Sequence, residues 1–451
     1  MSLRREIPGL IVTEREHLLP LDHADPGGRR LCVFTREIAA PDGQERPYLV
    51  FLQGGPGAEA PRPSLTDGSP PWLECALADF RVLMLDQRGT GRSSPIGCAL
   101  GGSAQQQADY LANFRADSIV ADAEAIRREL GVERWSVLGQ SFGGFCAMRY
   151  LSAAPEGLRE VLFTGGVPPL EARIDEVYAA TYARMRDRNE RFYARYPDDR
   201  RRVLDLLERL EHQPLALPSG ELLHPARLRQ AGNMLGMSDG YERLHYILEL
   251  DPESPGFLHD AEEATSFARN PLYAILQEAC WANGARTAWS AQRMLAAQSD
   301  WPAEFFTGEH AFPWMFHDGA LAPLGEAAEL LAQREWPELY DRDRLSSNEV
   351  PAAAAVYAED PYVERAFSER TARAVPGLRV WLTSEYDHDG LRKDGARILG
   401  RLLDLTRGRG VADPSDRRRA AGRRLLDAPD MVVPEPDELK DELDALRGRR
   451  A

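Results

Sequence analysis

The chain has 451 residues, 43% of them hydrophobic, enough to fill a full-sized core, and its formal charge of −16 disfavours nucleic acid or an anionic membrane as a partner. Its five cysteines, Cys32, Cys75, Cys98, Cys146 and Cys280, are widely spaced and odd in number, with no C-x-x-C pair for a metal or redox centre. The N-terminal MSLRREIPGLIVTEREH lacks the apolar stretch of a signal sequence, and no run of about eighteen apolar residues follows it, so the expected setting is the cytoplasm.

In chain order, LCVFTREI, PYLVFLQGG and FRVLMLDQRG read as strands, residues 115–130 as a helix, and WSVLGQS and REVLFTGG as further strands. Strands separated by helical stretches predict an α/β fold with a mostly parallel central sheet. From 168 to 345 the pattern becomes long, charged and helical, as in EVYAATYARMRDRNERFYARYP, which predicts an inserted helical cap domain. The strand signal returns in VPAAAAVYAED and LRVWLTSEYDHDG. The expected division is a first sheet-forming part, 1–167, the cap, 168–345, a second sheet-forming part, 346–407, and a charged, partly ordered tail, 408–451, with an exposed helix over 436–448.

GQSFG at 139–143 follows the strand Trp135–Leu138 and precedes the helical stretch FCAMRYLSAAP. A strand that turns abruptly into a helix forces strained dihedrals on the turn residue and leaves no room for side chains two positions to either side. G-x-S-x-G in this context is a nucleophile elbow: it lifts the Ser141 hydroxyl above the sheet and points the free N–H groups of the next helix at a developing oxyanion. A second glycine cluster, QGGPG at 53–57, also follows a strand. The N–H near Gly55 and that of Phe142 are the expected oxyanion donors, with Gly54 beside them as a substrate contact. The third cluster, DQRGTGRSS at 86–94, is expected to brace the site through Asp86, Arg88 and Arg92.

In that order and at those separations, QGGPG, DQRGTGRS and GQSFGG resemble the prolyl aminopeptidase (proline iminopeptidase) family of α/β-hydrolases, serine peptidases that remove N-terminal proline. The resemblance runs from about residue 5 to 405. Gln53 stands where the usual family loop, HGGPG, has histidine, a departure that resembles the larger-chain branch.

A serine needs a base and an orienting carboxylate, and in this fold they follow it in the order Ser, Asp or Glu, His, each at the C-terminal end of a strand. Of nine histidines, His17 and His23 precede Ser141, while His212, His224, His245, His259, His310 and His317 fall in the helical insertion. His388 is left, just past LRVWLTS. The acid should end the preceding strand, where Asp360 is preferred and adjacent Glu359, facing the other way, competes. The segments YAEDPYV and SEYDHDGLR resemble the family's acid and base segments, with the match falling on Asp360 and His388. Asp387 and Asp389 read as a solvated acidic loop.

The resemblance also implies glutamates from the cap that bind the free amine of a small peptide substrate. Glu278, in NPLYAILQEACW, is the first candidate and Glu242, in SDGYERLHYILE, the second, with Phe142, Tyr273 and Trp281 as an apolar slot for the proline ring. The chemistry so read is acyl transfer with no metal and no organic cofactor. An esterase or amidase on a non-peptide molecule and an inactive binding protein are the alternatives.

Overall fold

A nine-stranded sheet carries the computed structural model, which describes residues 2–64 and 68–409. Its strands are β1 (Ser2–Ile7), β2 (Leu10–Pro20), β3 (Arg30–Ala39), β4 (Tyr48–Leu52), β5 (Arg81–Asp86), β6 (Trp135–Gln140), β7 (Leu158–Thr164), β10 (Ala352–Tyr357) and β11 (Leu378–Thr383). A short hairpin, β8 (Leu215–Ala216) and β9 (Leu222–Leu223), stands apart from them. The order across the sheet is β1-β2-β3-β5-β4-β6-β7-β10-β11. Pairings from β5 to β11 are parallel, and those joining β1, β2, β3 and β5 are antiparallel.

The central strands are apolar throughout because both faces are covered, as parallel sheets require. Side chains alternate between the two cores. Tyr48, Val50 and Leu52 of β4, Trp135 and Val137 of β6, and Ala352 and Ala354 of β10 enter one core, which the helices Ala116–Glu129 and Phe142–Ala153 cover. Leu49 and Phe51, Leu138, and Ala353 and Ala355 enter the other, against the helices Leu73–Asp79 and Gly395–Thr406.

Sequence reading anticipated every strand from β3 onward in the main sheet but none before Leu31. β1 is exposed along its whole length and β2 carries Thr13–His17 in mid-strand, so neither presents the apolar run by which the central strands announce themselves. β8 and β9 were likewise unanticipated: two-residue strands leave no periodicity to read.

β7 and β10 are neighbours in the sheet, yet the chain between them forms a mainly helical insertion that includes Ile174–Arg195, Pro197–His212, Gly240–Leu248, Pro255–Thr265 and Pro271–Leu276. Part of it packs as a core of its own, with Met185, Phe192, Val203, Leu210, Leu235 and Phe306 at its centre. Arg115 ties it to the sheet-forming part: its guanidinium donates to Ala282 O and Pro337 O, both at 2.9 Å, and lies over the Trp336 ring. The tail helix expected over 436–448 lies outside the described residues.

Glycines around the end of β6 permit backbone approaches that no side chain could share. A Cβ on Gly143 would stand 1.9 Å from Leu52 O, one on Gly144 2.2 Å from Gly166 O, and one on Gly166 2.2 Å from Ser141 O. Since the obstructing atoms are main chain, relief requires moving a strand end. Gly143→Ala is expected to destabilise the fold by roughly 1–3 kcal/mol in urea unfolding and to cut reactivity at Ser141 in the molecules that stay folded.

Candidate active site

Ser141 sits between β6 and the helix Phe142–Ala153 with φ 52° and ψ −122°, outside the regions that ordinary side chains favour. Its amide donates to Thr164 O at 3.0 Å and its carbonyl accepts from Gly144 N–H at 2.7 Å, so both neighbouring segments hold the strained turn in place. The N–H groups of Phe142 and Gly143, ahead of that bond, open the following helix at positions where the helix itself supplies no acceptor.

Two strand ends far along the chain converge on that hydroxyl. His388, past β11, places Nε2 2.9 Å from Ser141 Oγ, and its Nδ1 is 2.7 Å from Asp360 Oδ2, past β10. The carboxylate fixes the tautomer: Nδ1–H donates to Asp360, leaving Nε2 to accept the serine proton. Asp360 Oδ1 in turn accepts from the amides of Tyr362 (2.8 Å) and Val363 (3.1 Å), which turns the carboxylate toward the ring. All three residues are buried. Burial alone would push the His388 imidazole down, but Asp360, by charge and hydrogen bond, and Glu309 more than offset it, and the pKa ends above the ordinary value.

The acidic neighbours have other employment. Glu359 faces away and pairs with Arg191. Asp387 accepts from Arg188 at 2.6 Å, and the same guanidinium reaches Glu359 O at 2.8 Å, so one arginine of the helix Ile174–Arg195 pins both the acid and the base loops. Asp389 was expected to be solvated but is buried, accepting from the Ser238 amide at 3.1 Å and from its hydroxyl. The 86–94 loop braces the site: Asp86 accepts from the amides of Ala60 and Arg92, Gln87 donates to Gln53 O at 3.0 Å, and Arg88 pairs with buried Asp122.

A narrow pocket lies over Ser141, its enclosed volume far below the roughly 300–1,000 Å³ of a drug-sized site. Gly55 and Phe142 border it, and Gly54 packs against the Ser141 side chain. Its apolar wall is Phe142, Phe145 and Trp281, the last two edge to face with centroids 4.6 Å apart. Tyr273, expected in that wall, stands instead against Gly55 and Phe267.

Glu309 also lines the cavity, and the sequence reading missed it. Protein encloses its carboxyl, which keeps accessible surface while burial raises its pKa. The one signal was a lone acidic residue after glycine within the apolar stretch FFTGEHAFPWMF. Glu278 lies deeper. Its Oε1 accepts from the Ala291 amide at 2.8 Å, its Oε2 has no partner, and burial pushes its pKa up to about 7. Glu242 is elsewhere: it forms an ion pair with Arg195 on an outer helix and does not line the cavity, which corrects the sequence expectation. A glutamate in a charged helix is usually a surface residue, and this one is.

The arrangement is suited to nucleophilic acyl transfer. Proton transfer from Ser141 to His388 would need the neutral imidazole, so with His388 as base kcat/KM should fall as pH drops through a pKa above the ordinary histidine value of about 6.5. Replacing Asp360 by Asn removes the carboxylate that sets the tautomer, and steady-state kinetics should show kcat reduced by about 10³–10⁴-fold with Ser141 still in place.

Residues 47–201 match the family described as the alpha/beta hydrolase fold. The chain is 46% identical over 409 residues to the proline iminopeptidase of Aeromonas sobria, across 86% of this chain and 95% of that one. It is 35% identical over 414 residues to proline iminopeptidase aneH of Aspergillus aculeatus, across 86% and 92%. A 42-residue stretch, 9% of the chain, is 69% identical to half of the putative antitoxin VapB7 of Mycobacterium tuberculosis, too small a share to assign anything to the whole.

Proposed function

We propose that this chain, which belongs to the proline iminopeptidase family, is a serine aminopeptidase that releases N-terminal proline, or a related small residue, from peptides. The observation that carries this reading is a partly buried carboxylate, Glu309, on the same pocket as Ser141. A carboxylate taken out of water is costly unless a cation meets it. An α-amine that has lost its own hydration is such a cation, and each charge-assisted hydrogen bond to it contributes roughly 1.5–3 kcal/mol. Glu278, with Oε2 unpartnered, is the second acceptor.

With the amine held by carboxylate and the ring against Phe142, Phe145 and Trp281, the carbonyl of the first residue faces Ser141. His388 takes the hydroxyl proton as Oγ attacks that carbon, and the N–H groups of Gly55 and Phe142 receive the oxyanion. His388 then protonates the leaving amine, a bond breaks to free the shortened peptide, and water enters by the same steps to release the imino acid. A carboxylate at the amine site makes this an exopeptidase: a further residue on the N-terminal side would turn the cationic amine into a neutral amide and lose that charge-assisted bond. Its five thiols are free, and among the described residues no helix is long and apolar enough to cross a membrane, which supports a cytoplasmic setting.

Free and N-acetylated prolyl anilides separate this reading from that of a general esterase or amidase. The wild type should cleave the free amine at least 10²-fold better in kcat/KM, and Glu309→Gln should lose most of that preference by raising KM. Equal rates on the two substrates would rule the aminopeptidase reading out.

A further inference from the structure

Resting on the reading of Glu309 as amine acceptor, we propose that Tyr273 is a positioning residue with two attachments. Its hydroxyl holds the Glu309 carboxylate while its ring bears on Gly55, so a single side chain sets both the amine site and the oxyanion loop.

The hydroxyl donates to Glu309 Oε1. One turn further along, Gln277 donates from Nε2 to the Glu309 carbonyl at 3.2 Å, and its own amide bonds to Tyr273 O at 2.9 Å. Two side chains four apart on one helical face therefore hold Glu309 by its carboxylate and by its main chain. Oε1 is the anchored oxygen, and Oε2 is the one this reading gives to the substrate amine.

The other side of Glu309 is fixed as well. His310 Nδ1 accepts from the Gly308 amide at 3.2 Å, and its Nε2 lies 3.0 Å from Thr181 Oγ1. Because the Thr181 hydroxyl donates to Tyr178 O at 3.1 Å, Nε2 must carry the proton that Thr181 accepts. The imidazole is neutral, consistent with burial pushing its pKa down to about 3. Glu309 therefore stands in a turn held from both sides.

The ring of Tyr273 makes the second attachment. Its Cε2 and Cδ2 would lie 3.3 and 3.5 Å from a Cβ on Gly55, whose φ is +65°, and the Phe267 ring stacks on it with centroids 5.1 Å apart. Leu272, just before it, stands closer still to Gly57 and Gly89. The helix Pro271–Leu276 thus presses consecutive side chains onto the loop that carries the Gly55 amide.

The charges and titratable groups facing Glu309 are Tyr273 and Cys280 from this part of the insertion, Tyr178 from Ile174–Arg195, and Asp360, Tyr362 and His388 from the sheet-forming part. Neighbouring His310 is neutral. Tyr273 and Gln277 are the donors that favour the ionised carboxylate, and His388, when protonated, favours it too. Removing the tyrosine hydroxyl should make Glu309 hold its proton to higher pH and bind ammonium less well.

The test compares Tyr273→Phe, Tyr273→Ala and Glu309→Gln on two reactions: turnover of prolyl p-nitroanilide across pH, and the rate at which a small alkyl fluorophosphonate, which has no amine, labels Ser141. Tyr273→Phe should raise KM for the anilide about tenfold, move the acid limb of kcat/KM upward, and leave labelling within twofold of wild type. Tyr273→Ala should also slow labelling severalfold, because the loop loses its support. If Tyr273→Phe leaves KM and the acid limb unchanged while Glu309→Gln raises KM, the role of the hydroxyl is overturned and the amine reading survives. If Glu309→Gln leaves KM unchanged, the amine reading itself fails. Labelling slowed as much as anilide turnover in Tyr273→Phe would reduce Tyr273 to general packing, and wild-type labelling of Tyr273→Ala would remove the role of the ring.

Discussion

One main-chain constraint underlies the site: the backbone at the end of β6 must pass within touching distance of the loop after β4 and the turn after β7. Ser141 adopts a conformation that costs of order 1–3 kcal/mol in isolation. It is maintained because Gly143, Gly144 and Gly166 let three segments close on it, each occupying space that a single methyl would take. The hydroxyl is therefore aimed by covalent geometry and packing before any partner arrives. β10 and β11, continuing the sheet beyond β7, bring Asp360 and His388 into hydrogen-bond reach of it.

Legibility in the sequence follows from how local the signal is. The elbow was readable because its steric demands fall on five consecutive residues. His388 and Asp360 were readable because chain order and strand ends leave few candidates among nine histidines, and because the surrounding segments resemble those of a known family. The central strands were equally plain, being apolar on both faces. β1 and β2 were not: β1 is exposed throughout, and β2 breaks its buried positions with the polar run Thr13–Glu16.

The insertion was legible as helical but opaque as a site, because no spacing rule decides which of its glutamates turns inward. Glu242, on an amphipathic helix, ends in a surface ion pair, whereas Glu309 sits in a short irregular turn whose conformation depends on Tyr273, Gln277 and His310. Its position is a product of tertiary packing among residues far apart in sequence. The same holds for Asp387 and Asp389, which local composition marks as solvated and which bond to Arg188 and Ser238 across the fold.

The loop that carries His388 is stitched to the insertion by main-chain bonds as well as by side chains. The His388 amide donates to Gly236 O at 3.1 Å, and the Tyr362 hydroxyl accepts from the Gly236 amide at 3.0 Å while its ring lies edge-on to the imidazole. Residues 233–238 therefore supply partners both to the peptide group of His388 and to the aromatic beside it. The imidazole at position 388 thus takes its setting from two separate stretches of chain, the strand end that carries it and the insertion that lies across it.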